Sequence, residues 1–111
     1  MTQSSPDETR FWAITEPLLS RASVTRSTMM GLPCLRVNGQ FFASLDRRTG
    51  SLLVKIPAVR VDELIATGQA DPFAPAGRRF REWAAIGTAR QQHWPNHLEE
   101  ALCYVLGQSR P

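Results

Sequence analysis

The stretch MMGLPCLRVNGQFFASLDRRTGSLLVKIP, residues 29–57, decides the fold. Its short apolar and β-branched runs are separated by turn residues, which indicates consecutive strands. Asn38-Gly39 is the strongest hairpin signal in the chain, because a type I′ turn requires positive φ at both central residues. A longer turn over residues 46–50 ends in Gly50, and Pro57 ends the run that follows. The stretch therefore predicts a β-meander with strands at Cys34–Asn38, Phe41–Asp46 and Ser51–Ile56.

Alternation along these strands predicts which side chains share a face, since successive residues of a strand point to opposite sides. In the last strand, Leu53 and Lys55 oppose an apolar set formed by Leu52, Val54 and Ile56. In the middle strand the alternation is weak. It places Phe41, Ala43 and Leu45 on one face and Phe42, Ser44 and Asp46 on the other.

The segments before the meander predict one helix and one further strand. A helix is expected from about residue 7 to about 21, with Asp7 as its N-cap and a disturbance near Pro17, which cannot donate a backbone hydrogen bond. Residues 24–30 are rich in β-branched residues and predict a strand.

The segments after the meander alternate in type. Val59–Thr67 predicts a helix that Gly68 ends, and residues 70–77 predict a loop under which Phe73 is tucked. Arg78–Ile86 predicts a strand. Asn96 is expected to cap the last helix, with Glu99 completing a capping box.

The predicted order is α-β-β-β-β-α-β-α. It indicates an α+β two-layer sandwich, with an antiparallel sheet of about five strands and helices packed mainly on one face. A length of 111 residues indicates one domain. We assign it to residues 7–107, with a disordered N-terminal tail at 1–6 and a C-terminal tail at 108–111.

Composition and charge restrict the classes of function. The formal net charge is +3, from 13 Lys and Arg against 10 Asp and Glu. A dedicated nucleic-acid binder usually carries a denser basic patch. The N-terminus has no apolar signal segment, and no apolar run approaches the length of a bilayer span. We expect a cytoplasmic protein with no membrane partner. Cys34 and Cys103 are expected to be buried free thiols, a single disulfide or redox pair being the alternative.

The residues that could carry catalysis or bind a metal do not form a convincing set. His93 and His97 are four residues apart, a spacing that can chelate a metal on a helix, but no third ligand follows at a useful spacing. We therefore expect both histidines at a solvent-facing helix start. The carboxylates are paired only as adjacent residues, which point in different directions on a helix. We predict no enzymatic activity, no catalytic residues, no metal and no cofactor.

Arg78, Arg79, Arg81 and Trp83 form the one dense basic and aromatic cluster, and they are the candidate interaction surface. Three interpretations are open. The arginines can pair with neighbouring carboxylates while the tryptophan covers the sheet edge. Trp and Arg are also enriched at the centre of protein interfaces. Finally, the same residues can stack on bases and bind phosphates.

Several motifs, taken in order, resemble the TfoX/Sxy N-terminal domain family. They are TMMGLPCLRVNGQFFASL, LLVKIP, RVDELIATG, PFAPAGRRFREWAAI and HWPNHLEEALCYV. The resemblance covers roughly residues 24–106. The MmcQ/YjbR-like family shares the general topology but lacks the Gly-Arg stretch that ends in Trp83, so it ranks second. The resemblance implies an α+β fold similar to type III secretion chaperones. Full-length members of that family regulate competence genes and carry a second, C-terminal helical domain, and we expect no such domain within these 111 residues.

The leading hypothesis is thus a small TfoX N-terminal-like domain that is a non-enzymatic protein-interaction or regulatory module. We expect a homodimer across the face or edge that holds Trp83, with a protein partner that the sequence does not identify. The second hypothesis is a nucleic-acid-binding transcriptional or competence-type regulator that uses Arg78, Arg79 and Arg81. The third, a small-ligand binder or enzyme, would need a polar pocket.

Overall fold

The computed structural model describes residues 6–21, 23–29, 31–46 and 48–108, with the backbone alone at residue 29. The strands are Val24–Met29 (β1), Leu32–Val37 (β2), Gln40–Leu45 (β3), Leu52–Lys55 (β4), Asp71–Pro72 (β5) and Trp83–Ile86 (β6). The α-helices are Pro6–Thr15 (α1), Ala58–Ala66 (α2) and Trp94–Gln108 (α3). Three 3₁₀ segments join them, at Glu16–Ser20, Pro75–Gly77 and Thr88–His93.

The described strands form one antiparallel sheet in the order β1-β2-β3-β4-β6-β5. The predicted α+β class and the meander at the centre of the sheet are confirmed. Asn38 and Gly39 have φ values of 51° and 79°, as a type I′ turn requires. The sheet has one more strand than predicted, because the two residues of β5 pair with β6 inside the segment expected to be a loop.

A β-bulge in β3 overturns the predicted alternation of that strand. Leu35 pairs with Ala43, but Arg36 pairs with Phe41, so Phe42 is an extra residue without a partner in β2. Because of the bulge, the side chains of two adjacent residues, Phe42 and Ala43, both point into the core. Phe41 lies on the opposite face, where the Arg36 guanidinium stands 4.4 Å from the centre of its ring.

All three helices pack on one face of the sheet, here called the inner face. The core contains Phe11 of α1, Val61 and Leu64 of α2, and Trp94 of α3, together with the inward-pointing strand residues. The strand residues are Leu35, Val37, Phe42, Ala43, Leu45, Leu52, Val54, Ala84 and Ile86. Trp94 is fully buried, and its indole N–H donates to the Gly87 carbonyl at 3.2 Å. This indole fixes the start of α3 against the end of β6.

Helices α1 and α3 differ from the prediction, α1 in where it ends and α3 in where it begins. α1 stops at Thr15, and Pro17 falls in the first turn of the 3₁₀ segment that follows, so the expected disturbance is confirmed. α3 begins at Trp94, before Asn96, because the 3₁₀ segment Thr88–His93 leads directly into it. The predicted Asn96 cap is therefore wrong. Cys103, expected in the core, is exposed on α3, and it does not pair with the buried Cys34.

The predicted tails fall mostly outside the described residues. Within them, Pro6 begins α1 and Gln108 ends α3. The assignment of one domain to residues 7–107 stays a prediction. None of the described helices has the length and apolar character that a membrane-spanning segment requires.

Candidate functional site: an apolar groove on the outer face of the sheet

The outer face of the sheet, opposite the helices, is buried at its centre. Cys34, Ser44, Leu53 and Ala85 lie side by side across four strands, and none of them is more than 8% exposed. The Ser44 hydroxyl donates to the Pro33 carbonyl at 3.0 Å, and burial raises the pKa of the Cys34 thiol. A leucine that is 1% exposed on the side without helices needs a cover other than a helix.

A groove opens over this face between Leu53 and the loop of residues 73–82. Its volume is about 670 Å³, within the range of roughly 300–1,000 Å³ that small-molecule sites occupy. Seven of its ten lining residues are apolar and three are charged. The lining consists of Leu32, Leu53, Phe73, Pro75, Ala76, Phe80, Trp83, Asp46, Arg48 and Arg78.

Two aromatic rings give the loop wall its shape. Phe73 and Phe80 stack with ring centres 5.7 Å apart and planes inclined by 29°. A backbone hydrogen bond also holds these two residues together, since the Phe80 N–H donates to the Phe73 carbonyl at 2.9 Å. Phe80 remains 40% exposed, although burial of a large apolar side chain is energetically favourable. The exposed ring is therefore surface on which an apolar partner could pack.

The loop is fixed to the rest of the molecule and contains backbone strain. Arg79 donates to the Asp62 carboxylate of α2 at 2.8 Å. The Ile56 N–H donates to the Glu82 carbonyl at 2.9 Å, where the loop meets β6. Ala76, which lines the groove, has φ 54° and ψ 30°, a left-handed conformation that costs a residue other than glycine roughly 1–3 kcal/mol. The loop that forms one wall of the groove is thus tied to α2 and to the end of β4.

The charged lining residues differ in how far they are neutralised. The Asp46 carboxylate accepts a hydrogen bond from the Arg48 backbone N–H at 3.0 Å and lies 3.9 Å from the Arg48 guanidinium. The Arg78 guanidinium lies 5.6 Å from the centre of the Phe80 ring, and no carboxylate in the described part of the chain forms an ion pair with it. The groove therefore carries one positive charge that its own residues leave unpaired.

The structure separates the four residues of the predicted interaction surface. Trp83 points to the outer face, because it lies two residues before Ala85 on β6, and it lines the groove together with Arg78. Arg79 instead pairs with α2, and Arg81 is exposed outside the groove lining. They diverge because β6 begins only at Trp83, so residues 78–82 form a loop and not the predicted strand. Whether these four residues form an interaction surface stays a prediction.

Leu53, Phe80 and Leu32 are groove residues that the sequence reasoning did not single out. The sequence did contain a sign that Leu53 is covered. It is an apolar residue at an outward-facing position of β4, where a strand with one face in solvent would carry a polar residue. Nothing in the local pattern brings Leu32 near the loop, since it lies two strands away from Leu53. Phe73 was expected to anchor its loop, and its stacking on Phe80 agrees with that.

The histidine pair does not form a metal site within the described residues, which contain no cluster of three or more His, Cys, Asp or Glu suited to a metal. His93 is exposed, but His97 is only 5% exposed, so its predicted solvent-facing position is wrong. Burial lowers the pKa of His97, while the charge of Glu100 opposes this shift and those of Arg60 and His93 add to it. Its Nδ1 has no hydrogen-bond partner and lies 3.8 Å from a Glu100 oxygen.

Ion pairs of the helices account for several charged residues away from the groove. Arg60 of α2 donates to Glu63 in the same helix and to Glu100 of α3, the second at 2.7 Å. Arg21 donates to Glu99 of α3, also at 2.7 Å. The carboxylates were expected to be solvated charges on helix faces, and the structure places them in partly exposed ion pairs, which contribute little to stability.

Comparison of the chain with family models, with curated protein sequences and with solved structures finds no significant match. The resemblance to the TfoX/Sxy N-terminal domain therefore stays a prediction that rests on the motifs themselves.

Proposed function

We propose that the protein is a non-enzymatic binding module whose working surface is the groove on the outer face of the sheet. The observation that carries the proposal is a concave, mainly apolar site of about 670 Å³ whose loop wall is fixed by hydrogen bonds and a salt bridge. Binding sites of this kind are usually formed before the ligand arrives, which reduces the entropy that binding costs.

The groove lining supports binding more than catalysis. Among the described lining residues there is no histidine, cysteine, serine or threonine, and the one carboxylate, that of Asp46, already accepts a hydrogen bond from the Arg48 backbone. A general acid–base pair or an activated nucleophile would need groups of those kinds within hydrogen-bonding reach. The aromatic walls instead provide the apolar surface and the low conformational freedom that favour tight packing.

Other partners remain proposals with different support. The predicted homodimer across the face that holds Trp83 would place a second chain over the groove mouth, and light scattering at high micromolar concentration tests it. The nucleic-acid hypothesis has less support from geometry. Arg79 is occupied by Asp62, and Trp83 lies in the groove lining and not on a flat stacking platform.

The proposal is tested by titrating the protein with octanol, a neutral apolar probe, and recording ¹H–¹⁵N correlation spectra. The indole N–H signal of Trp83 should move, whereas those of Trp12 and Trp94 should not, because they pack on the helical side of the sheet. Phe80→Ala should weaken octanol binding about fivefold, the equivalent of about 1 kcal/mol of lost packing.

Val59→Ala is the matched control. Val59 and Phe80 are the two large apolar residues that are exposed in the described part of the chain, and Val59, 79% exposed, lies on α2 outside the groove. The variant should bind octanol as the wild type does. Absence of any octanol-induced shift at Trp83, or equal weakening by both variants, would show that the groove is not a binding site.

A further inference from the structure

Within the proposed function, on which this inference rests, the groove geometry also indicates what kind of ligand fits. We propose that the groove binds a free amphipathic carboxylate, with its hydrocarbon against Phe73, Phe80 and Trp83 and its carboxylate on Arg78. The ligand class follows from the distribution of polarity in the groove, from the state of its charged residues and from its concave shape.

Polarity is distributed unevenly along the groove. The sheet side is apolar, with Leu32 and Trp83 partly exposed and Leu53 buried. Arg78 and the Arg48 side chain, which is 74% exposed, lie toward solvent, whereas the Asp46 side chain is only 14% exposed. A ligand that fills this groove must therefore present hydrocarbon to the sheet and its polar group to the opening. A ligand polar at both ends would leave a buried group without a hydrogen bond, which is costly.

The sign of the polar group follows from the charges. The Asp46 carboxylate accepts a hydrogen bond from the Arg48 backbone N–H and lies 3.9 Å from the Arg48 guanidinium, so these contacts offset part of its negative charge. In the described part of the chain the Arg78 guanidinium stands over the Phe80 ring and forms no ion pair, and a ring face does not use the N–H donors of the guanidinium. Arginine binds carboxylates through two parallel hydrogen bonds, so an anionic carboxylate complements the one unpaired charge.

The concave shape favours a free molecule over a lipid surface. The groove lies between the sheet and a loop that Arg79 ties to α2, and a bilayer surface cannot enter a space bounded on both sides. The volume is that of a site for a single small molecule. A membrane-bound acyl chain would first have to leave the bilayer.

Octanoate and octanol, which share a chain length and differ in charge, provide the test. Wild-type protein should bind octanoate about fivefold or more tightly than octanol, as expected for one partly exposed charge-assisted contact. Raising the salt concentration should weaken octanoate binding and leave octanol binding unchanged, because salt screens only the charged contact.

Two arginine variants locate the charge. Arg78→Gln should remove the preference for octanoate and keep the affinity for octanol within about twofold. Arg81→Gln, a change of the same charge in the same loop but outside the groove lining, should keep the preference. The indole N–H signal of Trp83 reports folding and occupancy in each variant.

The outcomes separate this inference from the proposed function. Equal affinity for octanoate and octanol, or an octanoate preference that survives Arg78→Gln, overturns the inference and leaves the binding module standing. Failure of both probes to bind overturns both. Binding to vesicles of anionic phospholipid in the absence of free octanoate binding would show that the surface takes a membrane, and that also contradicts the inference.

Discussion

Replacing Gly50 by alanine tests how the turn between β3 and β4 supports the N-terminal helix. Gly50 has φ +74°, and its backbone N–H donates to the Asp46 carbonyl at 2.7 Å. A Cβ built at this position would lie 2.9–3.0 Å from the carboxylate atoms of Asp7, in the first turn of α1. Alanine must therefore adopt a strained backbone and also displace the Asp7 side chain.

The free energy of unfolding that Gly50→Ala should lose has two parts. The left-handed backbone costs a residue with a Cβ roughly 1–2 kcal/mol, and the reduced entropy of the unfolded chain returns roughly 0.4–1 kcal/mol of that. Displacing Asp7 adds the loss of its 2.9 Å ion pair with Arg10 and of its packing, together about 1 kcal/mol. We expect Gly50→Ala to lower the free energy of unfolding by about 2 kcal/mol.

Gly68→Ala is the matched control, because Gly68 has φ +75° but nothing within 4 Å of the added Cβ. It should cost about 1 kcal/mol, the backbone part alone. Urea unfolding followed by tryptophan fluorescence measures both variants, and the shift in midpoint at unchanged slope gives the free energy. In an Asp7→Ala background the difference between the two glycine variants should shrink to within about 0.5 kcal/mol. Equal destabilisation by Gly50→Ala and Gly68→Ala in the wild-type background would refute the proposed contact with Asp7.

Three further measurements test other parts of the structure. Phe42→Ala should lower the unfolding free energy by about 3–5 kcal/mol and Phe41→Ala by about 1 kcal/mol or less, and equal effects would contradict the bulge in β3. Because burial lowers the pKa of His97, the unfolded chain binds more protons than the folded one below about pH 6.5. The free energy of unfolding should therefore decrease as the pH is lowered through that range, and His97→Gln should make it depend less on pH. Exposed Cys103 should react with a thiol reagent in the folded protein, whereas Cys34 should react only after unfolding, so a fast phase that persists in Cys103→Ser would refute this assignment.

The bulge in β3 shows where local pattern stops being informative. Phe41 and Phe42 are chemically identical, and alternation alone assigns one of them to each face. Which of the two enters the core depends on the register with β2, where Arg36 pairs with Phe41 and Leu35 with Ala43. That register comes from the partner strand and the packing of the inner face, which no local signal contains.

The helix starting near Trp94 shows the same limit in another form. Asn96 with Glu99 satisfies the sequence signature of a capping box. The helix nevertheless begins earlier, because the buried Trp94 indole donates to the Gly87 carbonyl and a 3₁₀ segment leads into the helix. The capping signature, a local preference worth about 1 kcal/mol, does not set the start of this helix.

The sequence by itself determined the α+β class, the meander, the Asn38-Gly39 turn and the break at Pro17, because each depends on backbone preferences of neighbouring residues. It also indicated an aromatic and basic segment ahead of Trp83. Only the tertiary structure decided that Arg79 pairs with Asp62 while Arg78 faces the groove. It likewise brought Leu32, Leu53 and Phe80 together from three separate parts of the chain. A binding groove is a relation between distant residues, and its shape exists only once the sheet order and the course of the loop are set.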